Sequence, residues 1–84
     1  MDIKNDIEFN KGESFERAII IETDNSQIGV AYEYQELKKI YPIHKITFQY
    51  VTEKNNKFYD VFEIDLPNEE KTEVYFDISN FYGK

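Results

Sequence analysis

The chain has 84 residues, 17% of them aromatic and 32% charged, with a net charge of -7 and no cysteine. That length allows one domain with a small core. The aromatic content argues against disorder despite a mean hydropathy of -0.68, the missing cysteines exclude disulfides and thiolate metal sites, and a net acid is a poor generic binder of nucleic acid.

No apolar run approaches the ~18 residues that cross a bilayer. The start, Met1-Asp2-Ile3-Lys4, lacks a basic region followed by an apolar block, so no signal peptide is visible and the expected address is the cytoplasm, off the membrane. The charges are unevenly placed. Residues 1–36 carry nine acids and three bases, residues 38–57 five bases and one acid, and residues 60–77 seven acids and one base. A basic belt of Lys38, Lys39, Lys45, Lys54 and Lys57 therefore lies between two acidic segments, which reads first as intramolecular complementarity.

Residues 1–13 are polar, with Ile3, Ile7 and Phe9 as apolar anchors. They read as a frayed tail or a short edge strand around 6–10. Ser14 suits the cap of a helical turn. The block Ala18-Ile19-Ile20-Ile21 is rich in β-branched residues and apolar on both faces, so it reads as a strand in a central position. A helix over 14–23 is the competing reading.

Thr23-Asp24-Asn25-Ser26 is a cap cluster. Beyond it Val30, Tyr34, Leu37 and Tyr41 recur at helical spacing, and Pro42 stops the pattern. This predicts a helix over 26–41. Lys38 and Lys39 in its last turn suit the helix dipole. Gly29 near its start would be explained by a close backbone approach.

The next strand is predicted over 43–52, with Ile46, Phe48 and Tyr50 alternating against polar residues. A two-residue turn at Asn55 and Asn56 would be natural, since Asn tolerates positive φ. It would pair Tyr50 with Val61 and Phe48 with Glu63. An odd loop or a bulge at the turn would instead pair Phe48 with Phe62 and Ile46 with Ile64, and the buried face favours that register. The strongest pattern follows, over 58–79. Phe58, Phe62, Ile64 and Leu66 keep one phase, Pro67-Asn68-Glu69-Glu70 makes a turn, and Thr72, Val74, Phe76 and Ile78 alternate with Glu73, Tyr75, Asp77 and Ser79. Phe81 and Tyr82 are expected to fold back on the core edge.

The order is β-α-β-β-β, an α+β two-layer sandwich with one helix packed on a mainly antiparallel sheet. The helix is expected to cover Ile46, Phe48, Phe62, Ile64, Val74, Phe76 and Ile78.

Catalytic chemistry is thinly represented. His44 is the one histidine, and alone it lacks the partner an acid–base catalyst needs. Gly12, Gly29 and Gly83 are too scattered to cradle phosphate. No calcium-loop spacing occurs. Asp60 sits in the apolar phase, where a charge is costly unless paired, with Lys54 or Lys57 as the expected partner. Asp77 reads with Glu63 and Glu73 as a wet face. The expectation is a non-enzymatic protein with no cofactor and no metal.

The second sheet face, with Thr47, Gln49, Val51, Tyr59, Val61 and Tyr75, is less polar than a solvated face usually is. One helix cannot cover both faces, so the N-terminal segment or a partner must. Gln49, Val51, Tyr59, Val61 and Tyr75 are therefore the predicted binding residues, and a protein–protein interaction module, as a homodimer or with another protein, is the leading reading. The alternatives are an acidic nucleic-acid mimic that inhibits a DNA-handling protein, and a small ligand-binding or hydrolytic domain around Asp60 and His44.

Overall fold

In the computed structural model residues 11–83 are described, so the expected edge strand at 6–10 lies outside them. β1 (Ile19–Ile20), α1 (Ser26–Ile40), β2 (Lys45–Lys54), β3 (Lys57–Asp65) and β4 (Lys71–Asp77) follow one another along the chain. The strands form one sheet in the order β1-β4-β3-β2. β1 runs parallel to β4, and the other two pairings are antiparallel. One helix on one sheet gives the expected α+β two-layer arrangement.

The apolar block at 18–21 forms a strand, but a short one, and among the described residues it stands at the end of the sheet rather than at its centre. Before it, Ser14 caps a turn by accepting the Arg17 N–H at 3.2 Å. Gly12 extends the β1 edge, since its carbonyl accepts the Tyr75 N–H at 2.8 Å.

Asn25 caps α1 by accepting the Ile28 N–H at 3.0 Å. The helix then presents Gly29, Glu33 and Leu37 to the sheet. Of the predicted face only Leu37 is buried, while Val30 and Tyr34 stay largely exposed on the flank. The reason is Gly29. A Cβ there would stand 2.4 Å from the Phe81 ring, so the bare backbone lets Phe81 under the first turn and rotates the buried stripe onto spacings of four. Phe81 and Tyr82 do fold back: Phe81 enters the core, and Tyr82 stacks on Phe58 with centroids 4.9 Å apart.

The hairpin joining β2 and β3 departs from the expected register. Asn55 and Asn56 both adopt left-handed φ, 53° and 65°, and close a two-residue turn. Tyr50 therefore pairs with Val61 and Phe48 with Glu63. Ile46 still pairs with Ile64, as the buried face requires, because the register shifts between Ile46 and Phe48. The extra residue is Thr47, whose hydroxyl donates to the Glu63 carbonyl at 3.1 Å. The conflict between turn and face is thus resolved by a bulge inside the strand and not at the turn. In consequence Phe48 leaves the helix face and is 57% exposed.

The main core lies between α1 and the sheet and is built on Leu37, Phe62, Ile64, Val74, Phe76, Ile78 and Phe81. Phe62 and Phe76 meet edge to face at 5.5 Å. A smaller cluster of Ala18, Tyr59 and Val61 sits on the other face.

Candidate interaction surface

The predicted binding residues divide between the two faces. Tyr59, Val61 and Tyr75 share one face with Phe48 and Tyr50. Gln49 and Val51 lie on the helix face, opposite Phe62 and Asp60, because the two-residue turn inverts their phase. The tyrosine face is also partly covered by the chain itself. Phe15 sets its ring edge-on to Tyr59 at 4.9 Å and to Tyr75 at 4.7 Å, and Lys54 Nζ lies over the Phe15 ring at 4.6 Å. Val61 and Tyr59 are buried beneath this lid. Tyr75 is half-buried, and its hydroxyl donates to Glu73 at 2.6 Å. That hydrogen bond, then burial and then the negative charge of Glu73 push the Tyr75 phenol up to about 12. Tyr59 is raised by burial first, then by Asp77 and Glu16.

Asp60 is buried and takes neither lysine. Lys54 is engaged with Phe15, and Lys57 reaches Asp77 at 3.9 Å. Gln49 provides for Asp60 instead, its Nε2 donating to the two carboxylate oxygens at 3.2 and 3.0 Å. Facing Asp60 from α1 is Glu33, only 1% exposed. As two carboxylates the pair has no donor between its members, and both Glu33 oxygens then lack a partner. A proton on Glu33 supplies the donor. Burial first, then the hydrogen bond to Asp60 and its negative charge, raise Glu33 from 4.5 to about 9. Asp77, read as part of a wet face, is also buried and accepts the Ser79 N–H at 3.0 Å.

His44 does not join Asp60. Its Nδ1 donates to the Tyr41 carbonyl at 2.6 Å, just past the end of α1. Asp60 pairs with Val51 well along β2, roughly 20 Å away at the ~3.3 Å rise of a strand residue. Among the described residues no three His, Cys, Asp or Glu side chains gather as a metal ion would need, and no helix is long and apolar enough to cross a membrane.

What remains open is the outer side of β2. The strand ends the sheet, and among the described residues nothing pairs with its outer edge. It exposes Phe48 on one face and Val51, 44% exposed, on the other. On the helix side Tyr34 leans against Phe62 with centroids 5.5 Å apart and stays open to solvent, as does Val30. An unpaired edge flanked by exposed apolar groups on both faces is able to accept another strand.

Two residues central to this geometry escaped the sequence reading. The sequence pattern places Phe48 in the core and does not single out Glu33. The spacing of Gly29, Glu33 and Leu37 was the available signal for Glu33. Comparison with protein families, with curated proteins and with solved structures finds no match to any of them.

Proposed function

We propose that the chain is a non-enzymatic, cytoplasmic interaction module that binds a partner strand along the outer edge of β2. The observation that supports this most is the pairing of a ten-residue edge strand with exposed Phe48 and Val51 on its two sides. Strand addition draws its affinity from backbone hydrogen bonds and its selectivity from the flanking side chains. The tyrosines expected to form the contact have a supporting part. Tyr59 and Tyr75 hold Phe15, and Phe15 with Lys54 backs the tip of the hairpin.

A hydrolytic role has less support. Glu33 and Asp60 form a carboxyl pair, but at 1% and 5% exposure they do not present themselves to a substrate. A nucleic-acid mimic is opposed by Lys45 and Lys54, which place positive charge at both ends of the same edge.

The variant Val51→Pro tests the reading. Proline is tolerated on an edge strand, where it blocks added pairing without breaking the inner ladder. In cell extract the wild-type chain should run as a species larger than a monomer, and the variant as a monomer. Identical behaviour of the two would remove the β2 edge as the binding surface.

A further inference from the structure

The β2 edge is complementary to itself, and this inference rests on the strand-addition reading above. In a hairpin closed by a two-residue turn, the flanking pair exchanges both backbone hydrogen bonds, and bonded and non-bonded pairs alternate from there. Lys54 and Lys57 are that flanking pair. Thr52 and Tyr50 therefore direct their N–H and C=O groups inward to β3, and Glu53, Val51 and Gln49 direct theirs outward. Phe58 shows the alternation directly. It stands opposite Glu53, yet its N–H goes to Ser79 Oγ at 2.9 Å and its carbonyl to the Ile78 N–H at 2.9 Å, both away from β2. The bulge at Thr47 ends the regular edge, which leaves 48–54 with Val51 at its midpoint.

We propose that the chain self-associates by antiparallel pairing of β2 with β2 of a second copy, on a two-fold axis through Val51. In this register Val51 faces Val51, Gln49 faces Glu53, Tyr50 faces Thr52 and Phe48 faces Lys54. All the outward backbone groups of Gln49, Val51 and Glu53 find partners, since residues opposite each other then share the same bonding sense. The side chains agree. An amide nitrogen has two hydrogens. If one serves Asp60, the other is free for the carboxylate of Glu53 in the second copy. The aliphatic stem of Lys54 covers exposed Phe48. No like charges meet, whereas an axis through Glu53 would set two carboxylates face to face.

The absence of cysteine makes the test clean, because Val51→Cys carries the only thiol. On the two-fold axis that thiol meets its own copy within reach of a short bis-maleimide. Light scattering on the purified 84-residue chain should give twice its 10.1 kDa mass. Val51→Cys should crosslink at least tenfold faster than Lys38→Cys, which sits on the helix surface. A dimer whose Val51→Cys variant crosslinks no faster than Lys38→Cys overturns the proposed pairing. A monomer at every concentration overturns self-association. The extract comparison then separates the two readings: if the wild type still shifts there and Val51→Pro does not, strand addition stands with a different partner, and if neither shifts, both readings fall.

Discussion

Glu33 of α1 and Asp60 of β3 face each other as buried carboxyls, and neither joins an ion pair among the described residues. The pair is stable with one proton and frustrated with none. Unfolded, Glu33 titrates near its ordinary 4.5, and folded near 9. The folded state thus binds the proton more tightly. Its contribution to stability is complete below the lower value and is lost as pH rises through the higher one. Denaturant unfolding should therefore show wild-type stability falling from about pH 5 to pH 9. Glu33→Gln keeps a donor for Asp60 and cannot ionise. It should match the wild type at pH 4, exceed it by about 1–3 kcal/mol at pH 9, the cost of an unsatisfied buried polar group, and show a flatter profile.

Gly29→Ala sets two effects of opposite sign against each other. Alanine improves helix propensity by about 1 kcal/mol. Its Cβ would meet the Phe81 ring at 2.4 Å, inside any tolerated contact, with Phe81 itself buried in the core. Overpacking of this kind costs about 1–3 kcal/mol. The expected outcome is a net loss of stability in denaturant unfolding, with Phe81→Ala in the same background removing the clash and most of the penalty specific to Gly29→Ala.

The turn at Asn55 and Asn56 decides which residues of β2 face which way. Both asparagines hold left-handed φ, a conformation that costs an ordinary L-residue about 1–2 kcal/mol. Asn56→Ala should destabilise the hairpin by about 1 kcal/mol, and Asn56→Gly should leave it unchanged or stabilise it. Thermal unfolding of the two variants checks the ordering.

Tyr75 should titrate late. Its phenol is pushed up to about 12, first by the hydrogen bond it donates to Glu73. An ultraviolet pH titration should show Tyr75 as the last of the raised tyrosines, with Tyr50 and Tyr59 also above the ordinary 10.0, and Glu73→Gln should lower Tyr75 most.

The layered α+β arrangement and the element order were legible in the sequence, because the alternation over 58–79 and the helical spacing before Pro42 are strong local signals. Leu37, Phe62, Ile64, Val74, Phe76 and Ile78 were placed correctly in the core. The faces of β2 were not. Parity correctly showed that one residue had to be absorbed on the way from Ile46 to Ile64. It could not show that Thr47 would absorb it, since a bulge leaves no mark when the bulged residue is an ordinary threonine. That single displacement moved Gln49 and Val51 off the tyrosine face and Phe48 onto it. The Glu33–Asp60 pair was hidden for another reason. A buried glutamate is recognisable only once the helix's rotation is known, and Phe81, far along the chain in sequence, sets that rotation through Gly29.

Amide hydrogen exchange along β2, read residue by residue at dilute and concentrated protein, tests the central claim most directly. Tyr50 and Thr52 bond inward to β3 and should be protected at both concentrations. Gln49, Val51 and Glu53 point outward, and they should exchange freely when dilute and become protected when concentrated, with Val51 the slowest of the three. Free exchange of all three outward amides at every concentration would contradict the pairing of β2 with itself.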